Sequence, residues 1–204
     1  MKKSFFASIA MIGLTTLVFT SCSKVPQEEI DAATSAVEQA ASAGANIYVH
    51  DDFVALEDSL NSVMVEIESQ KSKFIRNYGA AKESLTGVTQ FAMEVKQQAE
   101  TRKEELKIEI QNTIAEVKFL IESNRQLILQ APRGKEGTTA LTAIKSEIDA
   151  VEQSVTETNA LLEMGEYLAS LDKAKIAKEK AGSINAELTG VIAKYKANTQ
   201  GRRS

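Results

Sequence analysis

From Tyr78 to Gln130 the chain runs without a proline and with one interior glycine, Gly87. Along it Leu85, Val88, Ala92, Val95, Ala99, Leu106, Ile110, Val117, Leu120 and Ile128 recur at helical intervals. That spacing places them on one face of a single α-helix. Unbroken, the helix is about 80 Å long at 1.5 Å per residue. A stripe of this length is stable only if it is covered from end to end, so the rest of the chain has to line up along it.

The flanking segments are suited to that task. Phe53, Leu56, Leu60, Val63, Ile67, Gln70 and Phe74 alternate three and four residues apart, as do Leu141, Ile144, Ile148, Val151, Val155, Thr158 and Leu162. A third seam is Leu171, Ala174, Lys178, Ala181, Ile184, Leu188, Val191 and Tyr195, with Lys178 its polar breach. Each reads as a helix with one apolar seam. A shorter helix is defined by Ile30, Ala33, Val37 and Ala40; Pro26 suits its first turn and Gly44 its end. Asp51 or Asp52 is expected to cap the second helix, Asn77 the third and Thr138 or Thr139 the fourth, with Gly165 marking the break before the fifth. No β-type alternation of comparable length occurs.

The expected fold is therefore all-α: five helices forming an elongated helical bundle or coiled coil, in which one very long central helix is shared by two three-helix segments. The N-terminal helical segment spans 27–130 and includes the long helix 78–130; a C-terminal hairpin spans 138–198 and a flexible tail 199–204. The charged run "ETRKEELK", Glu100 to Lys107, lies where one bundle hands over to the other, or where the long helix bends. An internal echo agrees with two halves. "IDAATSAVEQAASAGANIY" and "IDAVEQSVTETNALLEMGEY" share Ile-Asp-Ala, a valine seven residues after the isoleucine, and then a glycine and a tyrosine, Gly44 with Tyr48 and Gly165 with Tyr167.

The N-terminus carries a different signal. Lys2 and Lys3 precede an apolar run of 16 residues, Phe5 to Thr20, too short to span a bilayer comfortably, and the only cysteine, Cys22, stands where that run stops. Phe19, Thr20, Ser21 and Cys22 resemble the lipobox of bacterial lipoproteins, with Phe19 in place of the commoner leucine. The resemblance implies a signal peptide, 1–21, cleaved before Cys22, diacylglycerol on the cysteine sulfur and an N-acyl lipid on the new terminus. A short linker, 22–26, would then join the lipid to the helices. A secretory signal whose cleavage region merely includes a cysteine, or an uncleaved apolar anchor, is the alternative. Ser23 and Lys24 follow the cysteine, with no aspartate of the kind that retains enteric lipoproteins at the inner membrane, and the analogy points to the outer membrane, facing the periplasm. Two or three acyl chains hold far more firmly than one, at about 0.8 kcal/mol per buried methylene.

Further on, the alanine-rich first helix, "SAGANIY" and "FVALEDSL" resemble helical domains of unknown function in bacterial envelope lipoproteins. "GEYLASLDKAKIAKEKA" is similar to tetratricopeptide-like helical pairs, although the 34-residue period of that repeat is not met. The first resemblance implies a periplasmic helical module and brings no catalytic residue; the second implies only that small residues at this spacing let two helices approach closely.

Candidate chemistry is sparse. His50, Asp51 and Asp52 form the nearest approach to a metal or acid–base cluster, but there is no second histidine to complete a zinc site or a triad, and a loop histidine before helix-capping aspartates accounts for them. "PRGKEGTT" lacks the spacing of a phosphate-binding loop and reads as a helical connection. No catalytic or metal-ligating set and no cofactor is expected beyond the lipid on Cys22. From Cys22 onward the formal charge is −6, which argues against nucleic acid as a partner, yet the segment from Asp172 to the end is +5. Lys173, Lys180, Lys194 and Lys196 are its candidate partner-binding residues; the plain alternative is a lysine-coated solvent face. Two classes of function remain: a membrane-anchored scaffold or adaptor that binds a protein or cell-wall partner, and a periplasmic holdase-like chaperone. A scaffold pairs its apolar seams, whereas a chaperone leaves them splayed.

Overall fold

The computed structural model describes residues 24–132 and 135–201. Their backbone forms six helices: α1 (Gln27–Ser42), α2 (Ala45–Tyr48), α3 (His50–Lys71), α4 (Gly79–Gln130), α5 (Lys135–Glu163) and α6 (Tyr167–Gly201). Five match the expected helices. The sixth, α2, is a single turn that follows Gly44, whose φ of 80° ends α1 in a conformation glycine adopts without steric cost. α4 is continuous through Glu100 to Lys107, so the charged run introduces no break. Its 52 residues span about 78 Å.

Two separate cores lie along α4. The first joins α1, α3 and the N-terminal half of α4 through Ala33, Ala40, Leu56, Ile67, Leu85 and Val95, all fully buried. Alanines on α1 and at Ala92 and Ala99 of α4 let these two helices approach closely. The second core joins the C-terminal half of α4 to α5 and α6 through Leu106, Ile110, Val117, Val151, Ile184 and Leu188. Each large aliphatic side chain so buried stabilises the fold by roughly 1.5–3 kcal/mol. The handover falls between Ala99 and Leu106, within the charged run.

Polar contacts fix the helix directions. Lys82 Nζ lies 2.5 Å from Glu29 Oε1, and Lys96 donates to Gln39 at 3.4 Å, so α1 runs parallel to α4. The helix α3 returns antiparallel and reconnects to the start of α4. In the second bundle Asn124 Nδ2 donates to the Ala181 carbonyl at 2.8 Å, and Asn185 Nδ2 donates to Asn124 Oδ1 at 2.8 Å and to Ser123 Oγ at 3.0 Å. These bonds, with Lys175–Glu109 at 2.9 Å, set α6 parallel to α4. Arg125–Glu152 at 2.7 Å ties the antiparallel α5 to the same helix.

Several local expectations are corrected. Phe74 leaves the seam because α3 stops at Lys71, and it stands fully exposed in the α3–α4 connection. On α6 the buried row is Leu171, Ala174, Ala177, Ala181, Ile184, Leu188 and Ile192. Ala177 and Ile192 replace Lys178 and Val191, and Tyr195 is half exposed; small and apolar neighbours were available one position away, so the lysine stays in water. Neither Asp51 nor Asp52 caps α3, which begins at His50 after Val49; both lie in its first turn, where carboxylates face the positive helix end. Thr138 and Thr139 lie inside α5, which starts at Lys135, and α6 continues to Gly201, past the 198 expected.

Candidate functional site

The molecule offers a near end, a waist and a far end. At the near end, the chain enters at Lys24, Val25 packs on the first core, and α1 begins beside the start of α4. The α3–α4 connection turns at the same end. Tyr78 is buried there, while Phe74 is fully exposed and Ile75 82 % exposed. Cations surround this apolar pair: Lys71, bonded to Glu68 at 2.5 Å, and the exposed Lys73 and Arg76. Asn77, expected as a cap, accepts from the Gly79 amide at 2.9 Å and closes the connection. Cys22 lies outside the described residues.

At the waist the two echoed turns meet. Gly44 and Gly165 have φ of 80° and 81°, and their tyrosines, Tyr48 and Tyr167, lie with ring centroids 6.2 Å apart. Lys103 and Lys107, one helical turn apart on α4, stand over the two rings at 5.4 and 5.2 Å. Tyr48 O–H reaches the Gly165 carbonyl at 3.4 Å, bridging the two hairpins. Partial burial raises the Tyr48 pKa, helped by Tyr167 and Glu166; the hydrogen bond to Glu104 leads in raising that of Lys107. Both stay in their neutral and cationic forms respectively, which suits cation–π packing rather than proton transfer.

His50 opens α3 nearby, its Nδ1 3.2 Å from the Asn46 carbonyl oxygen. Among the described residues no group of three or more His, Cys, Asp or Glu side chains converges to hold a metal ion. No described helix is long and apolar enough to cross a membrane.

At the far end, the register of Asn185 beside Asn124 brings Ile192 level with the end of α4, so that α6 projects beyond it. The four candidate lysines divide accordingly. Lys173 is bonded to Glu157, whose pKa it lowers, and Lys180 lies 4.0 Å from Glu147. Lys175 and Lys178, on the same helix, pair with Glu109 and Glu116. Lys194 and Lys196 sit on the projecting turns, exposed and in no ion pair among the described residues. Thus the structure spends the middle of the basic helix on internal pairs and leaves its end uncommitted.

Of the exposed Phe74–Ile75 pair, the seam periodicity claims Phe74 and says nothing of Ile75. The pair's signal was present in "KSKFIRN": two apolar residues closely bracketed by cations just before a capping asparagine. No protein-family model matches the chain, and comparison with curated proteins and with solved structures finds no significant similarity.

Proposed function

We infer that the chain is a lipid-anchored envelope protein that works by binding rather than catalysis: a rigid helical spacer, held to a membrane through Cys22 at the near end and presenting Lys194 and Lys196 to an anionic protein or cell-wall partner at the far end. The observation that carries this reading is the placement of the two termini of the described chain at opposite ends of one uninterrupted helix about 78 Å long. The lipobox-like "FTSC" supplies the tether, and Lys194 and Lys196, in no ion pair among the described residues, supply the partner surface. Pairing of the apolar seams within each bundle favours a spacer over a holdase-like chaperone, which needs such faces open.

The reading is tested in cells by crosslinking and pull-down of the full chain. Lys194→Glu with Lys196→Glu should abolish recovery of envelope components, while Lys173→Glu with Lys180→Glu should retain it; wild-type recovery should fall between low and physiological salt. Equal recovery from both double variants would refute the far-end surface. Labelled fatty acid should enter the wild type and not Cys22→Ser, and incorporation into that variant would end the tether.

A further inference from the structure

We propose that the α3–α4 connection, residues 72–77, is a second membrane contact, whose Phe74 and Ile75 enter the interfacial layer of an anionic lipid surface while Lys73 and Arg76 meet its headgroups. The proposal rests on the lipid-tether reading for its orientation, but it stands on separate residues. Phe74 is fully exposed and Ile75 nearly so, adjacent in sequence at the tip of a connection, and the described chain gives them no apolar cover. They are excluded from the core because Tyr78 already fills its end. An apolar tip ringed by cations matches the chemistry of a bilayer interface, where apolar groups leave water and positive groups face phosphate.

The occupant follows from where the chain outside the structure leads. Only residues 23–26 separate Cys22 from the first residue of α1, so an extended chain limits the reach from Cys22 to Gln27 to roughly 18 Å. The start of α1 is tied to the start of α4 by Glu29–Lys82, and the connection runs straight into α4. A lipid on Cys22 therefore brings the bilayer to the end of the molecule that carries Phe74. Phe119, 74 % exposed on the second bundle, lies far along the rod from this end and serves as the comparison.

The chain contains no tryptophan, so one introduced residue reports alone. Full chain as processed by cells, carrying Phe74→Trp or Phe119→Trp, is reconstituted in vesicles of phosphatidylethanolamine and phosphatidylglycerol with brominated acyl chains. Emission from position 74 should shift to the blue and be quenched, whereas position 119 should show neither. Phe74→Ser with Ile75→Ser, in surface positions that leave the melting temperature unchanged, should lower the vesicle affinity of unlipidated chain by about tenfold or more. An unquenched, water-like signal at position 74 would overturn the proposal. So would a blue shift that appears without lipid and grows with protein concentration, which would assign the tip to a second copy of the chain. The intact mass of the same preparation reports the lipid on Cys22 separately: a missing lipid mass sinks the tether, while quenching at position 74 still decides the contact.

Discussion

Tyr48 and Tyr167, from the two hairpins, pack against each other at 6.2 Å and a tilt of 43°, and so join bundles whose cores are otherwise separate. A double-mutant cycle with Tyr48→Ala and Tyr167→Ala should show a coupling of about 0.5–1.5 kcal/mol in chemical denaturation. Strict additivity would mean that the rings touch without stabilising the waist.

The two turn glycines should respond differently to alanine. Both hold left-handed backbone, which costs an L-residue roughly 1–2 kcal/mol. At Gly44 the added Cβ would also meet Tyr48 Cε2 at 2.9 Å, whereas Gly165 opens to free space. Gly44→Ala should therefore lower the melting temperature more than Gly165→Ala. Gly182→Ala, in ordinary helix with nothing near its Cβ position, should instead stabilise by about 1 kcal/mol.

Buried polar groups give a second contrast. Asn124 is fully buried and links α4 to α6 by two hydrogen bonds, so Asn124→Leu leaves the Asn185 amide only its bond to Ser123 and takes the side-chain donor from the Ala181 carbonyl, at a cost of about 1–3 kcal/mol. The Tyr78 hydroxyl is buried with no hydrogen-bond partner among the described residues, and Tyr78→Phe should keep or raise the melting temperature. A loss in Tyr78→Phe as large as that in Asn124→Leu would contradict this assignment.

Seam and surface positions should separate cleanly. Leu56→Asp and Ile148→Asp place a charge in the first and second core respectively, and each should cost several kcal/mol and melt its own bundle. Neutral substitutions at exposed Glu68 or Lys145 should change stability by only tenths of a kcal/mol. Equal melting temperatures across the set would show that the two cores are misassigned.

Acid should weaken the fold in part through two carboxylates. The Lys82 hydrogen bond lowers the Glu29 pKa, and Lys173 lowers that of Glu157, both from an ordinary value of 4.5. Their contribution is complete above 4.5 and is lost as pH falls through the lowered folded values. Glu29→Gln with Glu157→Gln should flatten the decline in melting temperature below that pH. Both groups are half-exposed and screened by water, so the change is small, and an unaltered acid limb would assign the decline to other carboxylates.

Much of this architecture was legible because its causes are local. The long stripe from Leu85 to Ile128 and the absence of proline dictate α4 within one residue of its expected start. The echoed glycines mark positive φ at both hairpin turns. What the sequence did not disclose was where competing residues win. Lys178 and Ala177 both lie within reach of the seam, and only packing against α4 selects the alanine. Phe74 keeps the seam's rhythm after α3 has ended, because periodicity has no knowledge of a helix stop. The pairing of Lys173 and Lys180 depends on which helix lies opposite, and Lys194 and Lys196 stand apart only because α6 outlasts α4.

The parallel setting of α1 and α6 on α4 has a mechanical consequence. Tension applied between Lys24 and Gly201 would pull α1 by its N-terminus and α6 by its C-terminus, each along its own axis and in opposite senses. Neither helix could peel off residue by residue; each would have to slide along α4 with its whole packed face at once, while α4 and the Tyr48–Tyr167 contact carried the load across the waist. In that geometry the bond from Asn185 to the buried Asn124 and the Glu29–Lys82 bridge act as transverse pins against slippage, and rupture would need many contacts to fail together.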